Sequence, residues 1–323
     1  MSGFHRRAKT VHYEGMMSVR SSRILCVGVF VAVSVAPRGG SSQSSPASVA
    51  QLREAIQQRI AADAGAIAGV AYSDLETGDN MSLAADSVFH AASTMKIPVM
   101  IEVLRRSQQG AFRLDQGILL TNRFRSLADG SPFSLKPEDD GDSTLYRHVG
   151  ERVAIRELLR LMITRSSNLA TNELIEVVGA ANVTAAARSL GAKRTSVLRG
   201  VEDQKAFDAG MINTTTAGDL AILLAAIENG RVLSPESSAL MRDILLAQEF
   251  NSKIPAGLPP GTRVAHKTGE ITAVSHDAAI VYPTGRRPYV LVVLTRGIRD
   301  AKASSALIAD VSRLVYAYAS RRK

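Results

Sequence analysis

The chain has 323 residues, 46% of them apolar and 21% charged, an ordinary globular composition long enough to bury a substantial core. Trp is absent and aromatics make up only 5%, which argues against a stacking platform for nucleic acid. The formal charge of +9 gathers at the start: residues 1–50 hold six of the 39 Lys and Arg but one of the 30 acids, so the remainder is only mildly basic and gives little reason to expect a polyanionic partner.

Residues 1–36 read as a secretory signal. Arg20 and Arg23 precede an apolar run over residues 24–36, shorter than the ~20 residues of a membrane span. Ser34-Val35-Ala36 offers a small-x-small cleavage site, although Pro37 after it is unfavourable and a cut nearer Ala47 is an alternative. Met16 or Met17 is an alternative start. The single cysteine, Cys26, leaves with the signal, and a thiol-free mature chain suits a periplasmic or secreted location with no membrane attachment after cleavage. Residues 37–48 have the composition of a flexible linker, and residues 49–323 are expected to form one catalytic domain.

Residues 49–62 carry apolar side chains at helical spacing (Val49, Leu52, Ile56, Ile60). Residues 66–72 and 81–84, separated by the turn Thr77-Gly78-Asp79-Asn80, predict two strands. A helix follows from Ser93 to about Gln109, stopped by Gly110. Residues 120–150 cluster Asp, Gly, Pro and Ser and predict an irregular insertion over a site. Helical patterns resume at Val153 and continue over residues 169–178 and 181–190. A polar loop, residues 198–213, leads to Thr214-Thr215-Thr216, which caps a helix to Asn229, and another helix covers residues 235–247. Three strands (residues 263–269, 276–282 and 289–296) and a long amphipathic helix (residues 301–319) end the chain.

Strands at both ends with helices between them predict an α+β fold. Its antiparallel sheet is built from both chain ends (about 49–90 and 230–323) and flanked by terminal helices, an all-helical lobe (about 93–229) is inserted, and a site lies between the two.

Three short patterns mark chemistry. Ser93-Thr94-Met95-Lys96 places a hydroxyl and an amine one turn apart on one helix face, where the amine can take the hydroxyl's proton. Ser166-Ser167-Asn168 falls at a helix–helix junction, and Lys267-Thr268-Gly269 ends a strand, where the lysine and threonine can hold a carboxylate. Each pattern alone is common as a cap or a turn. Their order, each at an element boundary, is the informative part. The six histidines show no H-x-H or H-E-x-x-H spacing, so no metal site is expected; His90, His148, His266 and His276 read as structural or exposed.

In these motifs the chain resembles the serine β-lactamase and penicillin-binding-protein superfamily, and within it the class A β-lactamases. The resemblance extends over roughly residues 50–320. Arg156-Glu157-Leu158-Leu159 leading into Ile163-Thr164-Arg165 looks like the class A helix before its S-D-N motif, and Asn213-Thr214-Thr215-Thr216 like the end of the class A omega loop. It implies a monomer without cofactor that acts on a small β-lactam, with a role in antibiotic resistance, or on a D-alanyl-D-alanine peptide. It also implies Ser93 as the acylated nucleophile, Lys96 as its base and Ser166 as proton relay to the leaving nitrogen. Asn168 would contact the substrate's side-chain amide, and Lys267 and Thr268 its carboxylate. The N–H groups of Ser93 and Glu270, the residue after Gly269, would form the oxyanion hole.

The chain departs from the class A pattern at four places. Ser167 replaces the aspartate of S-D-N. Arg199-Gly200-Val201-Glu202-Asp203 sets the omega-loop glutamate one position late, with no L-N following, so Glu202 is either the deacylating base or a solvated loop acid. Asn213 stands where the arginine's partner aspartate is usual. Glu270 puts an acid beside the carboxylate pocket, in place of a small neutral residue. A lactamase, a penicillin-binding peptidase and a non-catalytic binding module on the same fold therefore all remain open, the last disfavoured by a retained nucleophile and base.

Overall fold

The computed structural model describes residues 45–321; the predicted signal and most of the predicted linker lie outside the described residues. Five strands form one antiparallel sheet: β1 (Ile67–Asp74), β2 (Asn80–Leu83), β3 (Arg263–Ile271), β4 (Val274–Tyr282) and β5 (Tyr289–Arg296), in the order β2-β1-β5-β4-β3. The two chain ends meet at its centre, with Ile67 opposite Arg296 and Asp74 opposite Tyr289.

Strand β5 alternates its side chains between two cores. Tyr289, Leu291 and Val293 face α1 (Val49–Ala61) and α9 (Ala301–Ala319), whereas Val290, Val292 and Leu294 face the other helices. All six are fully buried. A strand covered on both faces has no solvent side to mark with polar residues, so it reads in sequence as an unbroken apolar run. Ser48 caps α1 and Asp300 caps α9, each side chain accepting an N–H three residues on.

The remaining helices are α2 (Lys96–Gln108), α3 (Ile155–Thr164), α4 (Asn168–Val178), α5 (Ala180–Ser189), α6 (Gln204–Asp208), α7 (Ala217–Glu228) and α8 (Pro235–Leu246). Helix α2 is the hub. Its residues from Lys96 to Leu104 are all buried, packed on α3, α4 and α5, which is why the run Ile97 to Ile101 is apolar on every side of the helix. Helix α7 lies against β1, β4 and β5, and α8 against β3.

Three local expectations are corrected. Lys267-Thr268-Gly269 does not end a strand; β3 runs on through Glu270 to Ile271. Ser93 does not open an α-helix; it sits in a 3-10 turn, Ala92–Met95, and α2 starts at Lys96. His90 Nδ1 accepts the Ala92 N–H at 3.0 Å and Ala92 takes φ +44°, so the chain kinks sharply before the helix can begin. The polar loop after residue 198 contains the short helix α6, capped by Asp203, which is too brief to leave a periodic signal.

Candidate active site

Ser93, Ser166, Asn168, Glu202, Thr268 and Glu270 all line one cleft of about 740 Å³. Ser93 is held at its floor by a close approach between two backbones. A Cβ built on Gly269 would lie 3.0 Å from Ser93 N and 3.1 Å from Thr94 N. The glycine of K-T-G thus lets β3 pack directly on the turn that carries Ser93, which sets the backbone of Glu270 beside that of Ser93.

Lys96 is fully buried. Its Nζ donates to Ser166 O at 2.6 Å, to Asn168 Oδ1 at 2.9 Å and to Ser166 Oγ at 3.2 Å. The amine therefore directs its hydrogen bonds across the cleft to the S-x-N segment and not to Ser93, as the one-turn spacing had suggested. Burial pulls its pKa down to about 7, with Asp140 and Glu202 pulling the other way. A lysine held there is a free amine much of the time at neutral pH, which a proton acceptor must be.

Lys267 is also fully buried. It donates to Thr268 O at 2.9 Å and to Ser166 Oγ at 3.0 Å. Burial, followed by the neighbouring charge of Lys96, drives its pKa well below the ordinary lysine value. Ser166 Oγ thus stands between two lysine nitrogens. Its own backbone has φ +58°, an uncommon conformation for a residue with a Cβ, which turns the side chain out of the α3–α4 junction and into the cleft.

Glu202 stands at the open side of the cleft. Asn168 Nδ2 donates to Glu202 Oε1 at 3.2 Å while Asn168 Oδ1 receives Lys96, so one amide bridges the lysine and the carboxylate. Burial, with Asp139 adding, pushes the Glu202 pKa up, while Lys96 opposes. The late glutamate is brought to the site by the loop around it. Val201 N donates to Asn172 Oδ1 at 2.7 Å and Asn172 Nδ2 to Val201 O at 3.0 Å. A Cβ on Gly200 would fall 2.4 Å from that Oδ1; only glycine allows so tight a clamp. On the far side Asp203 accepts from Ser126 Oγ at 2.7 Å and Leu127 N at 2.8 Å. Between these anchors Glu202 takes φ +60°.

The neck of this loop closes without an ion pair. Asn213 Oδ1 accepts from Leu198 N at 2.8 Å, and its Nδ2 donates to Arg199 O at 3.0 Å. Arg199 turns to main-chain oxygens, Met211 O at 2.8 Å and Gly200 O at 3.0 Å. An amide thus does by backbone hydrogen bonds what a carboxylate would do through charge.

Sequence reasoning missed two groups. Asp140, from the irregular insertion, accepts the N–H groups of Asn168 and Leu169. Lys253, in the turn before β3, reaches the cleft with its side chain only 3% exposed and meets Glu270 Oε1 at 2.5 Å. No periodic pattern marks either, because each acts through contacts to residues distant in sequence. Of the histidines, His276 and His266 are buried in β4 and β3: His276 Nε2 meets His90 O at 2.9 Å and His266 Nδ1 meets Asp277 Oδ1 at 3.0 Å. His148 pairs with Glu151 on the surface.

A sequence model of the Beta-lactamase enzyme family matches residues 51–319. The chain belongs to that family. It is 30% identical over 257 residues to a β-lactamase of Streptomyces albus G, covering 78% of this chain and 79% of that one. Among solved structures it is similar to the class A β-lactamase of the last common ancestor of Gram-negative bacteria (TM-score 0.72, 32% identity, 82% of this chain and 98% of that one). It is also similar to a PBP-A mutant in an acyl-enzyme complex with penicillin G (TM-score 0.70, 30% identity, 83% and 95%). The serine β-lactamase-like α+β fold follows from the family and the antiparallel sheet together.

Proposed function

We propose that the protein hydrolyses β-lactams through an acyl-serine intermediate on Ser93. The observation that carries the proposal is the Asn168 amide joined to Lys96 on one side and to Glu202 on the other. It gives one cleft a base for acylation and a carboxylate for deacylation.

In the first half-reaction Ser93 Oγ attacks the lactam carbonyl carbon and its proton passes to Lys96 as free amine. The N–H groups of Ser93 and Glu270 receive the developing oxyanion. The ring C–N bond breaks, and the leaving nitrogen takes a proton from Ser166 Oγ, which is resupplied by Lys96 at 3.2 Å. Lys267 and Thr268 hold the substrate carboxylate, and Asn168 its side-chain amide. In the second half-reaction a water attacks the ester carbon, Glu202 takes its proton, and the ester C–O bond breaks with return of a proton to Ser93. Export to the periplasm or medium and action as a monomer complete the reading.

A penicillin-binding peptidase is the second reading, favoured by the likeness to PBP-A. It uses the same first half-reaction and does not need Glu202. Incubation with a chromogenic cephalosporin separates the two: steady turnover after one equivalent supports the lactamase, and a stoichiometric burst that stalls supports the peptidase. Intact-mass analysis should show the adduct on the wild type and none on Ser93→Ala.

A further inference from the structure

Lys253 and Glu270 form an ion pair inside the cleft at the place where the K-T-G strand would receive a substrate's negative group. Lys253 Nζ is nearly enclosed and, among the described residues, donates to Glu270 Oε1 at 2.5 Å. The Glu270 side chain is 55% exposed, but its departure would strand a nearly enclosed ammonium without a partner, so leaving Lys253 is costly unless another anion takes its place. Both line the cleft with Thr268 and Gly269, and both act on Lys267, Lys253 disfavouring its charge and Glu270 favouring it. Apart from Lys253 and the buried Lys96 and Lys267, the remaining cation at the cleft wall, Arg199, is committed to carbonyl oxygens of its own loop.

We infer that Glu270 is a specificity-determining residue: an internal carboxylate that occupies Lys253 and competes with the carboxylate of an incoming β-lactam. This rests on the β-lactam reading of the cleft and deepens it. An anionic substrate that would use Lys253 must first displace Glu270, or else be held by Lys267 and Thr268 alone. Two carboxylates cannot share one nearly buried ammonium without mutual repulsion. The chain therefore discriminates against substrates whose binding depends on that charge and is comparatively tolerant of β-lactams with a masked or neutral group there.

The test compares penicillin G with its methyl ester, which lacks the carboxylate, on the wild type, Glu270→Gln and Glu270→Gln/Lys253→Met, scoring the rate constant for Ser93 acylation at limiting substrate. Removing the competing charge while keeping the side chain's shape should raise the acid-to-ester ratio by roughly five- to tenfold, the size of a partly exposed charge interaction. Adding Lys253→Met should abolish that gain, since the freed ammonium is its source. A ratio that is unchanged or falls in Glu270→Gln would overturn the inference and make Glu270 a support for Lys253. A gain that survives Lys253→Met would overturn it as well. If neither compound acylates any of the three proteins, the β-lactam reading fails and the inference with it, a result distinct from acylation with no shift in ratio.

Discussion

Asp140 accepts the backbone N–H of Asn168 through both carboxylate oxygens, at 2.9 Å each, and the N–H of Leu169 at 2.9 Å. A residue from the irregular insertion thus satisfies the exposed donors at the start of α4. Ser167, where class A enzymes have aspartate, contributes only its hydroxyl, to Ala170 N at 3.2 Å. The carboxylate missing from the motif is supplied from outside it. Replacing it by Asp140→Asn should cost about 1–2 kcal/mol, the usual scale for losing a charged cap. It should also move Lys96 further down, because Asp140 is the first of the groups that hold the Lys96 pKa up. Thermal unfolding reads the first effect, and the acid limb of the acylation rate, displaced to lower pH, reads the second.

The pH profile of the wild type carries its own expectation. Lys96 sits at about 7 because burial disfavours its charge, and only the free amine can accept the Ser93 proton. Single-turnover acylation should therefore rise with pH through about 7 and then level off. A lysine whose pKa is lowered by folding binds fewer protons than the unfolded chain between about pH 7 and pH 10. Over that window this group makes stability increase with pH. An acylation rate still climbing towards pH 10 would mean that Lys96 is an ordinary ammonium.

Gly269→Ala should act on rate more than on stability. Its Cβ would lie 3.0 Å from Ser93 N, so either β3 or the turn that carries Ser93 must give by a few tenths of an ångström. A full 1 Å displacement of a reacting group costs about 10²-fold in rate, so this smaller shift should slow acylation by up to about that factor, while repacking costs about 1–2 kcal/mol. Acylation kinetics beside a denaturation curve should show the first loss to be the larger.

Far from the cleft, Asp74 closes one end of the sheet. It accepts from Tyr72 Oη at 2.7 Å, from Arg286 at 2.5 and 2.6 Å, and from the N–H groups of Glu76 and Thr77. Burial pushes its pKa up, but these donors outweigh it and the net shift is down. A carboxyl depressed by folding stabilises the native state fully above its unfolded pKa of about 4, and that contribution is lost as pH falls through the lower folded value. Asp74→Asn leaves Arg286 poorly compensated and should cost about 2–3 kcal/mol at neutral pH. The difference from wild type should shrink as pH drops below about 4.

Much of the fold was legible because its elements are long and periodic. Strand β5 and helix α9 fall at the residues their apolar patterns indicate, and the five predicted strands are the five of the sheet. The three motifs gave residues that converge on the cleft, two of them at element boundaries and K-T-G inside β3. What escaped were contacts between segments without periodicity. Nothing local in Asp140 announces that it caps a helix 28 positions on. Nothing in Lys253 announces its pairing with Glu270. The position of Glu202 follows from Asn172 and Gly200, whose clamp is visible only once α4 and the loop are brought together.

Whether Glu202 activates the deacylating water is tested most directly by pre-steady-state turnover of penicillin G by Glu202→Gln. Loss of a general base slows its step by about 10²–10⁴-fold. The variant should acylate at a rate close to wild type, deacylate more slowly on that scale, and accumulate acyl-enzyme to one equivalent. A wild type that already stalls as the adduct, with Glu202→Gln indistinguishable from it, would contradict the claim and leave a penicillin-binding peptidase in place of a lactamase.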